Sequence, residues 1–416
     1  MNAIYTNSLI LKYLAHHLFP KSLRLGHAWS VISIGFLVLL SSCQEDIDLS
    51  TASLLRIYDH SNGELGFHPL DIGETSDGYF ILTGRTLDQT NFEGIQLITT
   101  DRAGNFRAEE NLPENLVLPT GELFLTDSVF RFFAMDRTTL RVELVSIQPD
   151  LRDLQSTRLT SLFYPLSASV NAAGNFLLVS YDPIDLLTVL SEISPEGAIL
   201  NSVGYTIGVG EDVEQRFNEH FLERQSRLPF FCGEAAPGQY FFNGFYNFSL
   251  STVFTDFSNT PLGVVQGQSD KGGLRAINWI SGDLFSAIGY QFNETYLLPV
   301  TQLLPGSTSA SVDLFSTRQA ELRDQTPGII TTYGNEHVIL AAETESREVV
   351  LYFYNLNSEA LTGTEIIGFT NPFTLAQVRV DADRNLLILG TTYVAGRFER
   401  IFLRKIMASE VRQYTG

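Results

Sequence analysis

Seven times along this chain a short polar turn feeds a compact run of aromatic and β-branched residues. The stretches are 76–85 (SDGYFILTGR), 127–136 (DSVFRFFAMD), 173–181 (AGNFLLVSY), 238–246 (GQYFFNGFY), 282–290 (GDLFSAIGY), 335–343 (NEHVILAAE) and 383–391 (DRNLLILGT). Apolar runs this short, bounded by turn residues, are the signature of buried strands. Their first strand residues are Tyr79, Val129, Phe176, Tyr240, Leu284, Val338 and Leu386, at spacings of 50, 47, 64, 44, 54 and 48 residues. Length alone would divide the chain into two or three domains, but a period this regular describes one repetitive body.

Each start is followed, roughly 10 to 16 residues on, by a second apolar run: from Ile95, Leu140, Leu186, Thr252, Tyr296, Val349 and Arg400. Turn chemistry follows most of these, as in Asp101 to Gly104, Gln148 to Asp150 and Ser194 to Gly197. A hairpin with flanking strands every ~50 residues fits the kelch-like period of a β-propeller blade better than the shorter WD40 period. The expectation is therefore an all-β, seven-bladed β-propeller over residues 53–416. Such a ring has to protect the strand edges of its first and last blades. The last unit runs out near Val411 and Tyr414, before an outer strand, while Ser53 to Tyr58 forms a strand without a blade. The N-terminal strand is thus expected to complete the seventh blade.

Residues 54–106, which include SDGYFILTGR and IQLITTDRAGN, resemble the DGGY-[IV]-[IL]-x-G repeats of bacterial propeller proteins. The resemblance is fair at 168–200 and 378–406, and elsewhere rests on spacing. One interval, from 176 to 240, is longer than the rest and carries an insertion near 211–228. There Val213, Phe217, Phe221 and Leu228 recur close to helical spacing between charged residues. Insertions in repeat proteins gather on one face, so these four residues are a candidate partner surface; a packed lid over the ring is the competing expectation.

Residues 29–40 (WSVISIGFLVLL) carry no charge, Lys12, Lys21 and Arg24 precede them, and residues 1–42 contain no acid. This is the pattern of a secretory signal. A twelve-residue helix rises only ~18 Å, short of a ~30 Å hydrocarbon core, which argues against a spanning helix. Leu40, Ser41, Ser42 and Cys43 resemble the lipobox of bacterial lipoproteins at all four positions. The resemblance implies that 1–42 is a lipoprotein signal peptide, cut before Cys43, and that Cys43 is acylated. Several acyl chains hold a protein at a membrane where one chain holds it marginally. Gln44, Glu45 and Asp46 resemble the acidic signal that sends lipoproteins of Bacteroidota to the outer face of the outer membrane. Residues 43–52 are in any case an acidic, solvated tether.

Loss of 1–42 removes three cations and no acid, which takes the net charge from −20 to −23. So acidic a surface repels nucleic acid and anionic headgroups and favours solubility. After Cys43 only Cys232 remains, in the apolar setting 228–232 (LPFFC), so no intrachain disulfide is possible and the thiol reads as packing.

No HExxH, CxxC, Gly-rich phosphate loop or GxSxG elbow occurs, and no metal or cofactor is expected beyond the lipid. His60, His68, His220 and His337 read as surface or packing residues. Asp381 to Asn385 has the look of a calcium loop but lacks its glycine and terminal glutamate. Residues 99–106 (TTDRAGNF) resemble the Asp-box of sialidases with the glycine one place late, and no other unit repeats it. The aromatic group Phe230, Phe231, Tyr240, Phe241, Phe242, Phe245, Tyr246 and Phe248 could grip a sugar or a protein, although a strand position favours core packing. Trp279 is the single tryptophan after the anchor.

Together these features lead to a lipid-anchored, surface-displayed propeller. It is expected to act as a non-enzymatic binding or scaffold subunit of an outer-membrane complex for transport, secretion or assembly. The alternative is a carbohydrate-active propeller, either a glycan-binding accessory or a glycoside hydrolase. Metabolic labelling with a radioactive fatty acid should mark the full-length protein. Cys43→Ala should lose the label and move the protein from the membrane fraction to the soluble one.

Overall fold

The computed structural model describes residues 52–58, 66–87, 92–208, 211–222, 228–268, 271–316, 318–323, 326–368, 371–393 and 398–416. All fall in one compact unit, Leu49–Gly416. The lipobox, Cys43, Gln44, Glu45, Asp46, the tether up to residue 51, and His60 lie outside the described residues.

The strands form up-and-down antiparallel meanders in chain order. The first consists of Phe67–Glu74, Gly78–Thr86, Glu93–Asp101 and Phe106–Asn111. A short strand, Leu116–Val117, joins it to a second, Phe124–Thr126, Val129–Asp136, Arg141–Ile147 and Gln155–Phe163, so that the two make one nine-stranded sheet. The next sheet holds Pro165–Val170, Phe176–Asp182, Leu187–Ile193 and Ile199–Thr206. After helix α1 (Glu211–Leu222) come Phe231–Ala236, Gln239–Tyr246, Ser249–Thr255 and Gly263–Gln266, extended by the parallel strand Thr308–Ala310. Three strands, Gly272–Ser281, Leu284–Gln291 and Glu294–Gln302, form the following sheet. Ile329–Tyr333, His337–Glu343, Val349–Asn355 and Leu361–Ile367 form another. The last has Phe373–Val380, Leu386–Tyr393 and Glu399–Ile406.

All seven strand starts expected from the repeats fall within a second strand of a meander, in the first two residues. Packing explains why these strands were visible. Second and third strands are buried on both faces, as at Phe80, Ile81 and Leu82, so they read as unbroken apolar runs. Fourth strands other than the covered Gly263–Gln266 face solvent, and Phe106–Asn111 or Gln155–Phe163 carry a polar sequence with little pattern.

Apolar clusters bridge consecutive meanders. Phe80 and Leu82 pack on Phe130 and Phe132, with the Phe80 and Phe130 rings stacked at 4.3 Å. Phe133 and Leu144 meet Phe176 and Leu178. Ile339 and Phe353 meet Leu375 and Ile388. Phe67, Ile72 and Ile98 in turn share a cluster with Leu387, Leu389, Ile401 and Leu403, so the last meander packs against the first.

The N-terminal strand Leu54–Tyr58 pairs antiparallel with Glu399–Ile406, in the register Leu54 opposite Lys405 through Tyr58 opposite Ile401. Its inward residues close on the turn 101–105: the Tyr58 hydroxyl donates to the Gly104 carbonyl at 3.0 Å. Asp101 accepts both the Asn105 N–H and its side-chain amide. The Asp-box-like motif is thereby a docking turn for this strand. Gly104 has φ of +71°, and a Cβ there would stand 3.0 Å from Arg56 Cγ. After the last strand the chain forms a helix, α2 (Ala408–Thr415), that the sequence did not announce. Val411 is buried, Tyr414 stacks on Phe353 at 4.9 Å, and Ser53 links Glu410 to the Met407 N–H.

Gly104→Ala should lower stability by about 1–2 kcal/mol, since a left-handed backbone and a close wall both oppose a side chain. Leu54→Ala should cost about 2–4 kcal/mol as a buried large-to-small change. Denaturant melts of both variants check this; if the N-terminal strand were detached, the Leu54 change would be silent.

Candidate functional site

Four first strands carry a β-bulge at the same level, between Pro69 and Asp71, Pro165 and Ser167, Leu274 and Ala276, and Leu375 and Gln377. A bulge re-aims the side chain beside it. Asp71 follows the first of them and is fully buried. Its Oδ1 accepts the Ile72 N–H at 2.8 Å and Arg379 Nε at 3.0 Å. Its Oδ2 accepts the Leu123 N–H at 2.8 Å and Arg379 Nη2. One carboxylate thus ties the first meander to the second and to the last. Bidentate, charge-assisted bonds of this kind are the strong ones.

Beside Leu123, Glu122 accepts the Ser167 hydroxyl at 2.9 Å, and its Oε2 is buried without a hydrogen-bond partner. Burial pushes its carboxyl up to about 8, partly offset by Ser167 and the Ala168 backbone and reinforced by Asp71. Glu122 therefore holds its proton near neutral pH. Cys232 lies against the same strands, 3.6 Å from Ser169 Oγ, and burial pushes its thiol up to about 12. A thiol so protonated is not a nucleophile.

Other acids serve as clamps between meanders. Glu343 accepts the Leu375 N–H at 2.8 Å and Arg323 at 3.1 Å, with burial holding its carboxyl above the usual range. Glu234 accepts the Ala172 N–H at 2.6 Å, and Glu74 the Ala382 N–H at 2.7 Å. His68 sits between Glu93 at 2.8 Å and Glu399 at 2.7 Å, which again joins the first meander to the last. Asp381, weighed as a calcium ligand, accepts the Asn385 N–H and its side-chain amide within a tight turn. Among the described residues no group of three or more His, Cys, Asp or Glu could hold a metal ion. Nothing local in the sequence announces these clamps, because each carboxylate and its backbone donor lie in different repeats.

The insertion near 211–228 corrects one expectation. Val213, Phe217, Phe221 and Leu228 do not form an exposed partner surface; all four are buried in one cluster with residues of several sheets. Phe217 stacks on Tyr181 at 4.0 Å and meets Phe245 edge-on at 5.2 Å, and Phe221 lies against Tyr164 at 5.2 Å. The physical reason is an unsatisfied aromatic floor at the sheet ends, which an amphipathic helix covers at once. His220 Nδ1 accepts the Leu228 N–H at 2.9 Å and so fixes the chain leaving the helix. Helix α1 is packed on the sheets by its apolar stripe.

Phe241, Phe242 and Phe245 are buried in the core, with Phe230, Phe231, Tyr240 and Tyr246 packed against it. Phe248 is different: it is 55% exposed, at a backbone φ of +70°. Phe292, in the corresponding turn of the next meander, is 54% exposed at φ +52°. A bulky residue in the left-handed region is a genuine outlier. Ile184, in the equivalent turn one meander earlier, is 73% exposed. Each lies between the second and third strands of its sheet. Tyr181 and Phe245, under helix α1, end the second strands, so the helix lies along the same sheet edge as these turns. Trp279 is partly exposed, its indole N–H donating to the Gly282 carbonyl at 3.0 Å.

Folded Glu122 keeps its proton over a range where the unfolded chain has lost it. Its contribution to stability should therefore fall as pH rises from about 4.5 and level off above about 8. Glu122→Gln should remove that slope, gaining on the parent by up to about 1.4 kcal/mol per pH unit between pH 5 and 8. Chemical melts across this range provide the check.

No protein-family model and no curated protein matches the chain. Among solved structures, YCF48 bound to a D1 peptide aligns with a TM-score of 0.51 at 9% identity, over 85% of this chain and 95% of that one. The Dos1 propeller aligns at TM-score 0.47 and 10% identity, over 84% and 95%. The β-propeller domain of the Trilobed protease from Pyrococcus furiosus aligns at TM-score 0.45 and 10% identity, over 82% and 93%. At such identities the likeness is one of fold alone, and the fold is an all-β propeller.

Proposed function

We propose that this chain is a lipid-anchored, seven-bladed β-propeller. It works outside the cell as a binding or scaffold subunit of an outer-membrane complex. The blade count takes the nine-stranded sheet as two blades, and the strand Leu54–Tyr58 closes the ring. The location rests on Leu40 to Asp46.

The observation that carries the binding role is the row of exposed apolar turn residues, Ile184, Phe248 and Phe292. A phenylalanine held at positive φ costs of order 1 kcal/mol, and here both residues stay more than half exposed. Asparagine or glycine would fit both turns with less strain. Large aromatic side chains are also the commonest anchors of protein interfaces.

The alternative, a carbohydrate-active propeller, draws on Glu122 and Asp71, a proton-bearing carboxyl near one paired with Arg379. Asp71 already accepts four hydrogen bonds and has no lone pair left for a water or a sugar. The pair is better suited to holding blades together.

Affinity purification from detergent-solubilised envelopes should recover a membrane-protein partner. The double variant Phe248→Asn, Phe292→Gly should lose that partner while its melting temperature stays level or rises by a few degrees. A fall in stability with the partner retained would assign the two rings to packing. Recovery of the protein alone, with binding on a glycan array, would favour the alternative.

A further inference from the structure

A cavity of about 260 Å³ opens between the N-terminal strand Leu54–Tyr58 and the outer strands of the first meander. Its floor is apolar: Phe67, Ile98 and Ile401, with the partly exposed Phe106 as one wall. Arg56 stands at its edge. This chain has 47 acids against 27 cations, yet the Arg56 Nε meets no hydrogen-bond partner. Its Nε is buried. Hiding an N–H of a charged group without an acceptor is costly unless something else supplies one. The Tyr58 hydroxyl, the nearest polar group on the same strand, is already committed to the Gly104 carbonyl.

We propose that this cavity binds a small apolar monocarboxylate. The carboxylate pairs with Arg56, and the hydrocarbon lies on Phe67, Ile98, Ile401 and Phe106. A planar guanidinium is suited to a carboxylate, which it meets through two parallel N–H bonds. The volume sets the size: at about 30 Å³ per water, the space equals eight or nine waters, or an organic molecule of about ten to twelve heavy atoms. Glu109, also on the wall, makes an interaction of its own and disfavours a second negative charge. A dicarboxylate or a phosphate is thereby excluded, and so is an uncharged chain, which leaves Arg56 as it was.

The site joins the N-terminal strand to the first meander, so occupancy would also strengthen that contact, since a ligand bound only by the folded form stabilises it. The probe is 3-phenylpropionate, titrated calorimetrically into the purified full-length protein in detergent, with 3-phenylpropan-1-ol and 3-phenylpropylamine as controls. The acid should bind one-to-one with Kd below about 1 mM, and each control at least tenfold more weakly. Arg56→Met should weaken binding of the acid at least tenfold and leave the alcohol unchanged. Phe106→Ser, at an exposed and uncharged position of the wall, should weaken acid and alcohol alike, which keeps the test decisive should Arg56→Met fold poorly. Equal binding of acid and alcohol, full affinity in Arg56→Met, or no binding of the acid at 5 mM would overturn the proposal.

Discussion

Burial of both faces of the middle strands is the constraint on which the rest of this structure depends. A strand such as Gly78–Thr86 has no polar face to turn to water, so its sheet has to be covered on two sides. Consecutive meanders supply that cover for one another, and the cluster around Phe67, Leu389 and Leu403 supplies it where the last meander meets the first. Nothing in such stacking is directional. Apolar faces slide over each other at little cost, and a fixed arrangement needs polar contacts of defined geometry.

The acids of this chain meet that need. Asp71, Glu74, Glu234 and Glu343 each reach across to a backbone N–H of another meander. Backbone donors at a bulge or turn have no ladder partner, and a carboxylate satisfies them with a strong bond. Where Arg379 or Arg323 joins, the charge is compensated as well. Glu122 lacks such a cation within bonding reach and remains protonated instead. The strong negative charge is consequently more than a solubility device, because part of it is internal structure.

The same economy shapes the surface. Helix α1 buries its apolar stripe on Tyr164, Tyr181 and Phe245, so that stripe presents no surface to a partner. What remains exposed and apolar on that edge sits in the turns at Ile184, Phe248 and Phe292. In the sequence Phe248 looked like an ordinary member of an aromatic run. Phe248 follows Phe245 and Tyr246 closely, yet Phe245 is buried and Phe248 is not. The difference lies in a turn whose left-handed residues no local pattern announces.

The sequence by itself determined the repeating hairpin, its ~50-residue period, the start of every second strand and the spare strand before the first repeat. These are local properties: a doubly buried strand has to be apolar throughout, and a turn has to contain residues that tolerate its dihedrals. It also carried Leu40 to Cys43, whose resemblance to a lipobox is read from the linear motif alone. Tertiary structure alone decided that Asp71 meets Arg379, that Gly104 receives the N-terminal strand, that Phe217 faces inward and Phe248 outward, and that the chain ends in a helix. Those outcomes depend on which surfaces meet across hundreds of residues, and a pairing between distant positions leaves no periodicity in either partner.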